Sequence, residues 1–311
     1  MAAPHRALCV CLSLRYVLRT CSMKSPLRVL LECFGLRLYV RNLSWRFGRR
    51  IYMRARGEVP NHPSVNGEYA LLRLVAGLQE RGTKPTFLDV GANRGDWSAE
   101  VQRACAARGL SPSIHAFEPS SSTYVSLNNR FASFAGVHAH RLALGEFKGT
   151  AELCVDGPMG GTNSLSSRAI GEREPVQVET LDGFLEEHDI GRVAMVKTDT
   201  EGFDHAVMKG ARNALDKKAI DLWQFEYNWR WLDCRHCLRD VFDLAAACGY
   251  EVGRVTRSGR IEIYESWNPE LERYFEANFC IVHGEAPWCA VLCDRYRFNR
   301  SNVLEALARD K

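Results

Sequence analysis

Residues 87–98, with the sequence FLDVGANRGDWS, constrain the fold of this chain more than any other segment. Apolar residues lead into a turn that contains Gly91 and Gly95, and a helix can begin at Asp96. A strand, a glycine-containing turn and a helix in this order open the first βα unit of many nucleotide-binding sheets. Asn93 stands where a dinucleotide-binding turn has its middle glycine, and asparagine tolerates the left-handed conformation better than most residues. The segment therefore predicts a nucleotide-binding turn that differs from the dinucleotide type.

The rest of the chain alternates between predicted strands and helices from residue 64 to residue 285. Apolar segments at 86–90, 113–119, 137–144, 192–202, 219–228 and 278–284 predict strands, and helical periodicity separates most of them. This order predicts an α/β fold with a mostly parallel sheet and helices on both faces. We expect three regions: a basic N-terminal extension at 1–60, one domain at 61–285 and a C-terminal tail at 286–311.

The charge of the chain is divided unevenly between its N-terminus and the remainder. Of the 41 Lys and Arg residues, 12 lie in residues 1–57 beside a single acid, Glu32, whereas residues 58–311 contain 29 basic and 36 acidic residues. A mildly acidic domain binds polyanions poorly, so no nucleic-acid partner is predicted.

The N-terminal region is compatible with three interpretations. The apolar segment 7–14, ALCVCLSL, is too short to cross a membrane. An Arg-rich, acid-poor extension is typical of peripheral contact with an anionic membrane or of a targeting peptide, and Met23 could also be the true start. The expected location is the cytoplasm, with peripheral membrane attachment as an option.

The 12 cysteines are scattered over the chain and predict reduced thiols instead of a disulfide framework. The segment CRHC at 234–237 has the spacing of half a zinc site, but no second pair follows it. Its cysteines continue an apolar helical stripe that includes Val241 and Leu244, which favours a buried helix.

Polar residues at the ends of the first two predicted strands indicate the cofactor. Asp89 precedes the turn and Asp96 begins the helix, and both would repel the phosphates of a dinucleotide. They suit a cofactor with a positive end and no phosphate, such as S-adenosylmethionine. Glu118 ends the second strand, where an acidic residue accepts hydrogen bonds from ribose hydroxyls.

Several segments together resemble the FkbM-type family of S-adenosylmethionine-dependent methyltransferases. The matching segments are FLDVGANRGDWS, HAFEPSSSTY, LALGE, VETLDGFL, VKTDTEGFDHAVMKGA and FEYN, and they span about residues 64–285. The resemblance implies a class I methyltransferase fold, with a seven-stranded sheet and an antiparallel last strand. It also implies O-methylation of hydroxyls on sugars, glycans or other natural products. The family's cofactor residues correspond to Asp89, Gly91, Asn93, Gly95 and Glu118.

The predicted catalytic residues lie at the end of the fourth strand, which faces the methionine end of the cofactor. The family motif D-x-E-G corresponds to Asp199 and Glu201. Asp199 would hold the ammonium group of the cofactor or orient the acceptor, whereas Glu201 could instead cap the following helix. His205, one turn further on, is an alternative base. Asp199, Glu226 and Asn228 resemble a magnesium site, but the family does not require a metal and none is predicted.

Two other functions are compatible with parts of the sequence. A non-catalytic binding protein could keep this fold and attach to a membrane through its basic N-terminus, although the glycines and acids of the cofactor site are present. An NAD-dependent oxidoreductase is disfavoured, because Asn93 replaces the middle glycine and Trp97 or Ser98 lies where the third should be.

Overall fold

The fold is described from a computed structural model of the chain. The structure describes Pro26 and residues 36–155, 163–165, 171–286 and 289–308. The chain divides into two compact units, residues 1–59 and 60–311. The apolar segment 7–14 and residues 156–162 and 166–170 lie outside the described residues.

The described part of the first unit is one long helix, α1 (Leu36–Ala55). The helix contains no acidic residue between its ends and has arginine at several positions. Large apolar side chains along it are exposed to solvent, among them Tyr39, Leu43, Phe47 and Ile51. Within the described residues, no helix combines the length and the apolar character that spanning a bilayer requires.

The second unit contains alternating strands and helices. The strands are β1 (Thr86–Val90), β2 (Ser113–Phe117), β3 (Val137–His140), β4 (Ala143–Leu144), β5 (Gly149–Val155), β6 (Glu172–Glu179), β7 (Met195–Thr198), β8 (Leu222–Tyr227), β9 (Glu251–Val255), β10 (Ile261–Tyr264), β11 (Ala277–Val282), β12 (Cys293–Phe298) and β13 (Leu304–Ala306). The α-helices are α2 (Glu68–Leu78), α3 (Asp96–Ala106), α4 (Ser121–Phe131), α5 (Leu181–Glu187), α6 (Asp204–Lys209), α7 (Arg212–Asp216), α8 (Leu238–Ala247) and α9 (Cys289–Leu292). Two 3-10 turns cover Trp229–Leu232 and Pro269–Leu271.

The main sheet has ten strands in the order β13-β12-β10-β9-β11-β8-β7-β1-β2-β3. Strands β3, β2, β1, β7 and β8 are parallel, and β11 lies antiparallel between β8 and β9. The α/β fold with a mostly parallel core is thereby confirmed, but the prediction of seven strands is wrong. The sheet is larger because β10 folds back on β9, and because β12 and β13, from the range expected to be a tail, add two strands beyond β10.

Helices cover both faces of the sheet, because alternate residues of each central strand point to opposite sides. Leu88 and Val90 of β1 pack with α5, α6 and α8 in one apolar cluster. Phe87 packs with α2 and α3 in a second cluster on the other face.

A separate three-stranded sheet, in the order β4-β6-β5, lies between β3 and β7 in the chain. The predicted strand 137–144 is in fact two strands, β3 in the main sheet and β4 in this small sheet. Strand β6 was missed because it contains Pro175 and several charged residues. Proline is tolerated there since β4 pairs only with Val178 and Glu179, which leaves one edge of the strand open around residue 175.

Candidate functional site

Two neighbouring cavities open at the carboxyl ends of the parallel strands. The first, which we call the apolar cavity, has about 680 Å³ of space, part of it open to solvent, and is walled by Phe117, Leu144, Leu153, Leu165 and Phe203, among others. The second, which we call the acidic cavity, has about 770 Å³ and is lined by Glu68, Asp96, Asp199 and Glu226 together with Asn61, Tyr69, Arg94 and Lys197. Gly91, Asn93 and Asp199 line both cavities. The three shared residues mark the junction between them.

The turn after β1 brings the backbone close to β7. Gly91 has a φ of 76°, and a Cβ atom added there would collide with the carbonyl oxygen of Asp199. Gly95 has a φ of 75°, and a Cβ atom there would strike the ring of Phe131. Asn93 adopts a φ of 47°, in the left-handed region. The two glycines are therefore required for steric reasons, and the turn forms the floor of both cavities.

Glu118 is buried at the end of β2 and is fixed by two backbone donors. The N–H of Asn93 donates to its Oε2 at 3.0 Å, and the N–H of Ser120 donates to its Oε1 at 3.0 Å. Burial raises the pKa of Glu118 to about 7, although these two bonds favour the carboxylate. Each oxygen keeps lone pairs for the hydroxyl groups of a ligand in the apolar cavity, whose wall includes this residue.

Asp89 is fully buried and lines neither cavity. Its Oδ2 accepts hydrogen bonds from the hydroxyl of Ser98 at 2.6 Å and from the N–H of Ser98 at 3.2 Å. Ser98 lies in the first turn of α3, so Asp89 fixes the start of this helix and the turn before it. Direct contact between Asp89 and the cofactor stays a prediction.

A row of buried polar side chains crosses the sheet under the acidic cavity. In the strand register, Asp89 is paired with Lys197, and Lys197 with Gln224. The Nζ of Lys197 lies 3.2 Å from the Oδ2 of Asp199, and Glu68 of α2 faces the same ammonium group. Sequence reasoning missed Lys197, although a lysine within an apolar strand is itself a signal of a buried charge.

The predicted residue Glu201 has a left-handed backbone, with a φ of 55°, and lines the apolar cavity. Its Oε2 lies 2.8 Å from the Nη1 of Arg230. Burial raises the pKa of Glu201 to about 7; the nearby Asp199 adds to this effect and Arg230 opposes it. The side chain is thus paired with Arg230 at the rim of the site.

His205 is buried in α6 and lines neither cavity. Its ring packs against that of His236, with 4.4 Å between the centroids. Burial and the neighbouring His236 lower the pKa of His205 to about 4. The structure places this residue away from the junction, and its role as a base stays a prediction.

Glu226 ends β8 and lines the acidic cavity. Its Oε1 accepts a hydrogen bond from the Nδ2 of Asn61 at 3.0 Å and a longer one from the Nδ2 of Asn228 at 3.4 Å. Burial, followed by the charge of Asp199, raises the pKa of Glu226 to about 9. The described residues contain no group of three or more His, Cys, Asp or Glu side chains arranged to hold a metal ion.

The aromatic residues after β8 divide between core and surface. Tyr227 and Trp231 are buried in the main apolar cluster, whereas Trp229 is 52% exposed. None of the three lines either cavity. Two of the three rings therefore belong to the core.

The residues around the junction fit S-adenosylmethionine. The apolar cavity offers flat apolar walls for a nucleobase and the carboxylate of Glu118 for ribose hydroxyls. The buried Oδ1 of Asn93 has no hydrogen-bond partner among the described residues, although it belongs to a residue that lines both cavities. The collision that excludes a side chain at position 91 shows that the turn packs directly against the backbone of Asp199, which brings these two lining residues of both cavities together.

Comparison with known proteins agrees with this geometry. The family model described as "Methyltransferase FkbM domain" matches residues 89–252. The comparison with curated proteins found no match.

Among solved structures, the chain is similar to the methyltransferase FkbM from Methylobacillus flagellatus KT, with 16% identity and a TM-score of 0.43. This match covers 68% of the chain and 47% of that protein, so the chain spans about half of its length. It is also similar to the Aeropyrum pernix fibrillarin in complex with natively bound S-adenosyl-L-methionine, with 14% identity, coverage of 70% and 76%, and a TM-score of 0.35. The family assignment depends on the family model, which covers more than half of the chain. The chain belongs to the FkbM methyltransferase family, whose cofactor is S-adenosylmethionine.

Proposed function

We propose that this protein is an O-methyltransferase that acts on a hydroxyl group of a sugar, a glycan or another natural product. The observation that carries the proposal is the position of Asp199, which lines both the apolar and the acidic cavity. A methyltransferase needs a cofactor site and an acceptor site that meet at the reacting methyl group, and Asp199 lies where the two cavities meet.

In this proposal the apolar cavity holds the nucleoside part of the cofactor. Phe117, Leu144 and Phe203 would contact the base, and Glu118 would accept hydrogen bonds from the ribose. The methionine end would lie at the junction formed by Gly91, Asn93 and Asp199, where the acidic cavity for the acceptor begins. Asp199, paired with Lys197, would there attract the ammonium group of the cofactor or orient the acceptor.

The bound cofactor supplies a methyl group on a positively charged sulfur, which is already an excellent leaving group. The protein then has to place the acceptor oxygen in line with the methyl group and exclude water. A hydroxyl acceptor also needs a group that takes its proton. Asp199 at the junction and Glu201 in the wall of the apolar cavity would orient the acceptor, whereas His205 lines neither cavity.

Calorimetric titration of the full chain with S-adenosylmethionine, S-adenosylhomocysteine and NAD tests the cofactor assignment. We expect the first two to bind and NAD not to bind. Glu118→Ala should weaken binding by about 10- to 100-fold, because each lost hydrogen bond to a charged group is worth about 1.5–3 kcal/mol. Glu174→Ala is the matched control, because this glutamate contacts Ser121 and Arg141 and lines neither cavity. Absence of binding to either sulfur nucleoside by folded protein would favour the non-catalytic alternative.

We also propose that α1 attaches the protein to the surface of an anionic membrane. Its exposed apolar residues include Tyr39, Leu43, Phe47 and Ile51, which recur every four positions along one side of the helix, and others lie elsewhere around it (Leu38, Val40, Trp45 and Tyr52). Arginines accompany them and no acid occurs within the helix, which complements anionic lipid headgroups. Full-length protein should sediment with vesicles that contain phosphatidylserine and not with neutral vesicles, and Phe47→Asp should abolish sedimentation. Equal sedimentation with both kinds of vesicle would contradict an electrostatic attachment.

A further inference from the structure

We infer that Glu226 is the catalytic base of the acidic cavity, and that this cavity takes acceptors that carry no negative charge near the reacting hydroxyl. The inference rests on the proposed methyltransferase function and adds to it a named base and a restriction on the substrate class. The sequence motifs of the cofactor site do not include this residue.

The geometry places Glu226 beside the junction. Strands β7 and β8 are parallel neighbours, with Lys197 paired to Gln224 and Thr198 paired to Phe225. The same register places Asp199, which follows β7, opposite Glu226. Asp199 lines both cavities and Glu226 lines the acidic one, so Glu226 lies on the acceptor side of the residue that marks the junction.

The carboxyl group of Glu226 is held in a way that leaves one oxygen for catalysis. Both amide contacts, from Asn61 and from Asn228, go to Oε1. Oε2 takes part in neither contact and belongs to a residue in the cavity wall. A carboxylate that is oriented through one oxygen can accept a proton from the substrate through the other.

The groups around Glu226 are predominantly acidic. Asp199 from the end of β7, Glu201 from the following turn and Glu276 before β11 act on it electrostatically, and all three raise its pKa. Glu68 from α2 lines the same cavity, where the ammonium group of Lys197 is already paired with Asp199. In the free protein, burial and these neighbours keep Glu226 protonated at neutral pH, since its pKa is raised to about 9.

A cation that enters the junction would lower the pKa of Glu226 again. The sulfonium and ammonium groups of the cofactor favour the carboxylate of Glu226, so binding should release its proton and produce the base. In the reaction, an acceptor oxygen lone pair forms the new bond to the methyl carbon, and the carbon–sulfur bond breaks with its electron pair left on sulfur. The hydroxyl proton passes to Oε2 of Glu226, which ends the cycle as the neutral acid.

The same charges restrict the acceptor. The cavity is lined by four acidic residues and two basic ones, Arg94 and Lys197, of which Lys197 is engaged by Asp199; the acidic residue Asp96 is paired with Arg130. Once Glu226 is ionised in the cofactor complex, its carboxylate and that of Asp199 would repel a phosphate, sulfate or carboxylate near the reacting hydroxyl, whereas Asn61, Asn93 and the hydroxyl of Tyr69 can bind uncharged hydroxyl groups. Uncharged polyols, such as neutral sugars, are therefore the acceptors that this cavity suits.

The test measures protons released on cofactor binding and needs no acceptor. The full chain is titrated calorimetrically with S-adenosylmethionine and S-adenosylhomocysteine at pH 7.5, in buffers of different ionisation enthalpy. We expect S-adenosylmethionine to release about one proton per site, because a full charge a few ångströms away in a partly buried site lowers a carboxyl pKa substantially. S-adenosylhomocysteine, which lacks the sulfonium charge, should release clearly less. Glu226→Gln should bind S-adenosylmethionine without this release.

Two variants separate Glu226 from other sources of protons. Glu262→Gln makes the same substitution at another half-buried glutamate with a raised pKa, on β10 and outside both cavities, and should release protons as the wild type does. Asn61→Ala removes one bond to Oε1 and should move the midpoint of proton release to higher pH, even if Glu226→Gln does not fold. Unchanged release in Glu226→Gln, or equal release with both ligands, would overturn the inference. Absence of cofactor binding in the wild type would instead refute the proposed function.

Discussion

The buried ammonium group of Lys197 offers the sharpest test of the electrostatics at this site. Lys197 is 8% exposed and lies 3.2 Å from Asp199, with the buried Glu68 and Asp89 nearby. At an effective dielectric constant of about 20, one such pair attracts by about 5 kcal/mol. Breaking a buried pair by removing one partner costs about 3–5 kcal/mol, because the other charge is left uncompensated. The side chain of Asp199 is 35% exposed, so screening by solvent places the expected loss for Lys197→Met near 3 kcal/mol.

Urea denaturation followed by circular dichroism at pH 8 and pH 5.5 measures this loss. The carboxyl groups left without Lys197 can take up protons at the lower pH, so the cost should shrink between pH 8 and pH 5.5. Lys148→Met is the matched control, because Lys148 pairs with Glu179 at the surface, where screening by solvent leaves such a pair little effect on stability. The reasoning is refuted if Lys197→Met costs no more than Lys148→Met, or if its cost is the same at both pH values.

Two further predictions concern the glycine turn and the histidines of β2 and β3. Gly91→Ala should abolish cofactor binding, since its Cβ would collide with a backbone carbonyl. Gly82→Ala is the control and should retain binding, because Gly82 has a similar positive φ but open space around it. Equal affinities of the two variants, measured by calorimetry, would contradict this prediction. His115 and His140 are joined at 3.1 Å between Nδ1 and Nε2, and burial lowers their pKa values to about 3 and about 4. In the unfolded chain these imidazoles take up protons below pH 6.5, whereas in the folded protein they stay neutral. As the pH is lowered from 6.5 to 4, His115 should therefore reduce the free energy of unfolding by about 1.4 kcal/mol per pH unit. His115→Gln should remove that part of the slope in urea titrations, and an unchanged slope would show that the imidazole does not contribute.

The central strands and the glycine turn were predictable because their signals are local. An apolar run that ends in glycine determines β1 and the turn after it, and β1 lies at the predicted residues 86–90. Helix α8 begins at Leu238 instead of near residue 234. Cys237 is its N-cap residue, and the N–H of Cys237 donates a hydrogen bond to the carboxylate of Asp240. The pattern of apolar residues continued through this boundary and concealed it.

The features that escaped prediction depend on contacts between distant parts of the chain. Strand β6 tolerates Pro175 because its pairing with β4 is limited to Val178 and Glu179, which leaves the strand edge open at residue 175. Strand β12 exists because β10 offers it an edge, and its own alternation of charged and aromatic residues is typical of a surface segment. The environment of Glu226 likewise depends on Asn61, which is 165 residues away in sequence and bonds to it.

The wall of the apolar cavity that comes from the small sheet has a consequence for how the protein responds to its cofactor. Leu153 of β5 and Leu165 face the same space as Gly91 and Glu118 of the main sheet. A ligand in that space would contact both sheets, so opening the hairpin β5–β6 would first require the ligand to leave. Amide hydrogen exchange in β5 and β6 should therefore slow when S-adenosylmethionine is added, by a factor that grows with its concentration above the dissociation constant. The hairpin would then act as a reporter of cofactor occupancy, although it contributes no strand to the sheet that carries the catalytic residues.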